Sequence, residues 1–127
     1  MSNSQRFLLY IALGSAIGGV SRAMVGTWLG DHVHVPYRTF VINVTGSFVL
    51  GLFLHWAEAQ STGHPNLRAF VAVGICGGYT TFSTFAFETV VLMETGAYGR
   101  AAAYASLSVL GSLGAVFAGF AAAKAIS

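Results

Sequence analysis

The chain has 127 residues, 55% of them hydrophobic and only 8% charged, with a formal net charge of +2. An ordinary soluble domain carries about 25% charged residues, and six basic and four acidic side chains cannot cover the surface of a globule of this size. The composition excludes a soluble globular domain, a disordered chain and a nucleic-acid binder, and leaves a small integral membrane protein.

The charges punctuate the chain. Uncharged runs cover Thr39–Ala57, Ala69–Phe87 and Ala101–Ala123, and a further apolar stretch, Phe7–Leu29, is broken only by Arg22. A spanning helix needs about 20 apolar residues. The pattern therefore predicts an all-α membrane protein. Residues 1–127 form a single transmembrane domain of four helices, near 7–29, 38–57, 68–93 and 100–124. The connections hold turn formers: Gly30-Asp31 and Pro36, then Gly63 with Pro65-Asn66, then Gly96. They are too short to fold outside the membrane, so function is expected within the spans. Arg6 ahead of an apolar run also has the look of a signal peptide. Cleavage would leave an odd number of spans and discard Arg22, so the segment is read as a span.

Positive charge hardly chooses an orientation. Arg6, Arg68 and Lys124 fall on one side, and Arg38 and Arg100 on the other, with Arg22 if it reaches that surface. Topology by the positive-inside rule requires an imbalance. A chain without one is expected to insert both ways up and to pair with itself as an antiparallel dimer. That symmetry is supplied by internal inverted repeats in larger transporters, and this chain has no repeat. A fixed topology set by a weaker signal is the alternative.

In the first helix, Gly14, Gly18, Arg22 and Gly26 recur every four residues and share a face. Close helix packing explains the glycines. A buried arginine is costly and usually faces an interior or a water-filled cavity. Arg22 is expected in an aqueous vestibule that attracts anions, with snorkelling to the first loop as the alternative.

The second helix carries Thr39, Asn43 and Ser47 at the same spacing. Asn43 brings two donors and must be paired in hydrocarbon, through either a helix–helix hydrogen bond or a donor on a permeation route.

The third helix reads Gly74-Ile75-Cys76-Gly77-Gly78-Tyr79-Thr80-Thr81-Phe82-Ser83-Thr84-Phe85-Ala86-Phe87-Glu88. Clustered glycines followed by β-branched threonines are poor helix formers, and they fall near mid-span. A break there frees carbonyls that protein, water or an ion must satisfy. Carbonyl oxygens suit a small hard cation. Phe82 and Phe85, three apart, share a face. Aromatic pairs are usually packing, yet the positive edge of a phenyl ring also touches an anion weakly enough to release it. Glu88 is an intramembrane acid, a functional candidate by default.

The fourth helix repeats the polar spacing with Tyr104, Ser108 and Ser112, a candidate polar track. Single serines in membrane helices usually bond back to their own backbone. His32, His34, His55 and His64 lie in or near loops. Solvated loop histidines explain them better than metal ligation, because no convergent ligand set accompanies them. No phosphate-binding loop and no nucleophile–base set is visible, so an enzyme is not expected. The lone Cys76 excludes an intrachain disulfide.

The Gly-Gly-Tyr-Thr-Thr-Phe-Ser-Thr-Phe core of Gly77–Phe85, the Asn43-Val44-Thr45-Gly46-Ser47-Phe48 stretch and Gly18-Gly19-Val20-Ser21-Arg22 resemble motifs of the Fluc (CrcB-type) fluoride channels. The resemblance covers the whole chain. Arg38 stands where family members often have glycine before the helix-2 threonine. The resemblance implies a passive fluoride-selective channel of the bacterial inner membrane that exports the ion from the cytoplasm. It also implies an antiparallel, dual-topology homodimer with two pores. Carried over, Phe82 and Phe85 contact fluoride, and Asn43 donates a hydrogen bond near them. Tyr104, Ser108 and Ser112 form the polar track with Thr39 nearby, and Arg22 marks the vestibule. The carbonyls of Gly77 and Thr80 from both copies hold a structural sodium ion. Two rivals stand beside it. A proton-coupled small multidrug or guanidinium exporter carries an essential acid in helix 1, where this chain has Arg22. A noncatalytic membrane subunit needs neither the Phe pair nor the track.

Overall fold

A computed structural model describes residues 1–61 and 63–127, with His32 through its backbone alone. Four helices long and apolar enough to cross a membrane account for nearly all of the chain: α1 (Asn3–Leu29), α2 (Val35–Ala59), α3 (Pro65–Glu94) and α4 (Tyr98–Ile126). The helix ends are set by local chemistry. At the start of α1 the Ser2 hydroxyl accepts from the Gln5 N–H at 3.2 Å, while the Gln5 side chain accepts from the Ser2 N–H at 2.8 Å. This reciprocal capping satisfies two otherwise orphaned donors and lets the helix begin ahead of the first apolar residue. Gly30 ends α1 with φ at +55°, a conformation that costs a side chain with a Cβ. Pro36 stands in the first turn of α2, where its missing N–H is no loss.

The buried set is unusual for a soluble protein. It is dominated by small residues, among them Ala69, Ala101, Ala115 and Ala123, whereas Trp28, Phe87, Leu110 and Phe117 stand exposed. Large apolar groups outside and small ones inside is the arrangement expected where lipid is the solvent and helices attract by close packing. Two glycine-lined contacts organise the bundle. α1 lies on the first half of α3, where a Cβ on Gly14 or Gly18 would meet the carbonyl oxygens of Phe70 and Ile75. A Cβ on Gly78 would stand 2.7 Å from the Ser15 carbonyl oxygen. α2 lies on α4, where a Cβ on Gly51 would stand 2.6 Å from the Val116 carbonyl oxygen and one on Gly119 would meet the Phe48 carbonyl.

α3 is not one regular helix. After a first α-helical turn, Ala69–Cys76 is wound as a π-helix, and Gly77–Tyr79 returns to α geometry. The chain then extends through Thr80 (φ −79°, ψ 157°) and Thr81 (φ −149°, ψ 112°) before the helix resumes at Phe82. The interruption therefore falls just after the paired glycines, which themselves remain helical. Gly78 serves the contact with α1 instead. The π-helical stretch has no signal in the sequence beyond its small residues; wide turns of this kind recur at functional sites.

Candidate functional site

The break is held open from two sides. In an unbroken helix the Thr81 N–H would donate to the Gly77 carbonyl, four residues back. Here it donates to Asn43 Oδ1 at 2.8 Å, and Asn43 Nδ2 donates to the Thr81 carbonyl at 3.1 Å. One side-chain amide thus takes the Thr81 N–H from its helical acceptor and adds a donor to the Thr81 carbonyl. From the opposite side Arg22 Nη1 donates to the Thr80 carbonyl at 3.2 Å. The Thr80 N–H and hydroxyl both donate to the Cys76 carbonyl, at 3.0 and 2.8 Å. Thr81 Oγ1 accepts from the Thr84 N–H at 3.3 Å and so caps the resumed helix. α2 fits against this extended segment because Gly46 has no Cβ to strike the Thr80 methyl group.

Beside the break opens a cavity of about 420 Å³. Asn43 and Ser47 from α2, Gly77, Thr80, Thr81, Phe82 and Phe85 from α3, and Ser108 and Ser112 from α4 line it. The rings of Phe82 and Phe85 lie 5.6 Å apart at 58°, and Phe85 lies 5.3 Å from the Tyr104 ring at 55°. Phe82 is 78% exposed on the single chain. The cavity therefore combines aromatic rings and hydroxyls in a largely apolar wall. Among the described residues, no cationic side chain and no carboxylate lines it.

Behind Phe85 a second polar group is packed. Thr39 Oγ1 donates to Glu88 Oε1 in a short hydrogen bond. Glu88 Oε2, the Tyr104 hydroxyl and Ser108 Oγ are buried with no hydrogen-bond partner among the described residues. Buried polar atoms are normally paired. Three such atoms in one place leave unused hydrogen-bonding capacity beside Phe85.

The sequence-predicted residues thus separate into three groups. Asn43, Phe82, Phe85, Ser108 and Ser112 meet at the large cavity. Thr39 and Tyr104 stand with Glu88 behind Phe85, outside the lining of that cavity. Arg22 is half-buried and turned inward onto the break, with Gly77 and Thr80 on the same segment. Sequence reasoning missed the role of Thr81 as the backbone partner of Asn43. Its only sequence signal was the run of two β-branched residues after the glycines. The histidines stay apart: His55 stacks on Phe120 at 5.0 Å and His34 lies near Tyr37 at 6.4 Å. Among the described residues no cluster of three metal-ligating side chains occurs. The side chain of His32 lies outside the described residues.

Four apolar spans, a broken third helix and an uncharged cavity lined by aromatic rings and hydroxyls define the class: a small multi-pass membrane protein with a polar-lined cavity beside its broken helix. Residues 9–120 match the family described as CrcB-like protein, Camphor Resistance (CrcB), and the chain belongs to that family. It is 42% identical over 118 residues to a Rhodospirillum centenum protein named fluoride-specific ion channel FluC, covering 91% of this chain and 94% of that one. It is 45% identical over 122 residues to the protein of the same name from Nitrobacter winogradskyi, covering 89% and 91%. To the Caulobacter vibrioides FluC it is 38% identical over 122 residues, covering 94% and 96%.

Proposed function

We propose that the chain is a passive, fluoride-selective ion channel of the bacterial inner membrane that lets fluoride leave the cytoplasm. The observation that carries this reading is the uncharged cavity in which Asn43, the Phe82–Phe85 pair and the Ser108 and Ser112 hydroxyls converge beside a fixed helix break. A small, strongly hydrated anion needs donors to replace its water, yet a full positive charge would trap it. Conduction requires binding weak enough to leave. Asn43 has one amide hydrogen beyond the one used on Thr81. With the ring edges and hydroxyls it supplies partial positive charge without a fixed cation. The names carried by the relatives give the ion.

The working unit in this proposal is an antiparallel, dual-topology homodimer with two pores. The evenly divided arginines and lysine support it. So do the open side of the cavity and the exposure of Phe82, which a second copy would cover. A structural sodium ion at the centre of that dimer belongs to the same proposal. The residues fit: diverting the Thr81 N–H to Asn43 frees the Gly77 carbonyl, and the Thr80 carbonyl keeps a second lone pair beside Arg22. Both are hard oxygen ligands. Gly77 and Thr80 of each copy would hold the ion, which supplies fixed charge that ties the two broken helices together.

The test is ion release from liposomes holding the purified protein. Potassium-loaded vesicles made permeable with valinomycin are expected to release fluoride rapidly and to retain chloride. Silence for both ions from a well-folded dimer would overturn the channel reading.

A further inference from the structure

A second, smaller cavity of about 130 Å³ opens between the first turn of α2, at Pro36 and Tyr37, and the start of α4. Tyr104 lines it, and among the described residues the one charged side chain in its wall is Arg100. We propose that Arg100 is the outer steering residue of the ion route, gathering anions at this mouth and delivering them to Tyr104. The inference rests on the channel reading above and deepens it.

The register of α4 is the first support. Arg100, Tyr104, Ser108 and Ser112 follow one another at intervals of four. They therefore lie on one face and span about 18 Å of helix. Successive rungs line the two cavities: Arg100 and Tyr104 the small one, Ser108 and Ser112 the large one. The second support is the state of the rungs. Tyr104 and Ser108 are more than nine-tenths buried, at 8% and 6% exposure, and both hydroxyls lack a partner. Buried polar atoms are normally paired, so both keep hydrogen-bonding capacity for an entering species. The third support is the availability of the cation. Arg38, the other arginine at this end, is bound to Asp31 at 3.7 Å and donates to the Val33 carbonyl at 3.1 Å. Arg100 is exposed and makes no ion pair among the described residues.

The charge acts at the mouth alone. A solvent-exposed cation is screened beyond about 8 Å at physiological salt. Its effect is to raise the local anion concentration and the entry rate, as a cleft lined by one sign of charge does. Passage beyond Tyr104 proceeds on hydroxyl donors.

The experiment compares wild type, R100Q and R100K as full-length protein in planar bilayers of neutral phosphatidylcholine, where lipid charge contributes nothing. Unitary fluoride current is read at low fluoride and low ionic strength. R100Q is expected to carry ~2- to 5-fold less current than wild type, with R100K close to wild type and the R100Q deficit shrinking as impermeant salt is raised. A current in R100Q equal to wild type would overturn the proposal. So would a deficit that salt leaves unchanged, or one that R100K shares. Absence of fluoride current in the wild type itself would instead remove the channel reading on which it rests.

Discussion

Asn43 and Thr81 are joined by two hydrogen bonds, 2.8 Å from the Thr81 N–H to Oδ1 and 3.1 Å from Nδ2 to the Thr81 carbonyl. The pair decides where α3 breaks. Without it the part-buried Thr81 N–H would lose its partner, or the helix would close over the gap and rotate Phe82 and Phe85 away from the cavity. Leaving a buried group unsatisfied costs about 1–3 kcal/mol. Asn43→Ala is expected to lower unfolding stability by about that amount and to abolish fluoride release, read by denaturation in detergent and by efflux from liposomes. Asn43→Ala protein with wild-type stability and flux would dissociate the clamp from the break.

Phe82 and Phe85 separate a packing role from a conduction role. Phe82 is 78% exposed on the single chain, so its replacement costs the fold little. An aromatic contact is worth about 0.5–1.5 kcal/mol beyond its area, and ~1.4 kcal/mol is a factor of ten. Phe82→Ile and Phe85→Ile are expected to lower fluoride flux about tenfold while the protein elutes as the wild type does on size exclusion. Unchanged flux in both variants contradicts the ring-edge role.

The glycines of α1 divide by position. An added methyl at Gly18 would strike the Ile75 carbonyl, whereas one at Gly26 meets nothing within 4 Å. Overpacking typically costs about 1–3 kcal/mol, and glycine in a helix interior is worse than alanine by about 0.8–1.0 kcal/mol. Gly18→Ala is expected to destabilise the protein and Gly26→Ala to leave it as stable or more so. Equal thermal stability of the two variants would argue against the glycine-lined packing of α1 on α3.

Arg22 offers a way to separate charge from hydrogen bonding. Its Nη1 lies 3.2 Å from the Thr80 carbonyl. Glutamine keeps a donor and removes the charge; alanine removes both. Arg22→Ala is expected to lose about 1–2 kcal/mol of stability, and Arg22→Gln to lose less. If Arg22 also draws anions toward the break, both variants conduct less fluoride at low salt. Parallel measurement of melting temperature and flux checks the two roles. Full flux in Arg22→Gln would leave the arginine a purely structural partner of Thr80.

Helix number and the presence of a break were legible because each rests on a strong local rule. Charge-free runs of spanning length have few alternatives, and clustered glycines ahead of threonines are poor helix formers. The position of the break was not legible, because a tertiary partner sets it. Nothing around Thr81 announces that Asn43, 38 residues away in sequence, will take both of its backbone groups. The π-helical winding of Ala69–Cys76 was hidden for a related reason: it depends on how α1 fits the glycine face of α3. The spacing of Thr39, Asn43 and Ser47, and of Tyr104, Ser108 and Ser112, foretold two polar faces. That Glu88 joins them through Thr39 required the fold. So did the turn of Arg22 onto the Thr80 carbonyl, because a long side chain near mid-helix has several polar destinations within reach.

The reversal potential of the purified protein in a planar bilayer tests the central claim most directly, with a fluoride gradient across the membrane and equal chloride on both sides. A passive fluoride-selective route predicts a potential near the fluoride Nernst value, about 59 mV for a tenfold gradient of a monovalent ion, unmoved by a change in chloride or by a proton gradient. A potential near zero, or one that follows chloride or protons, would contradict the account.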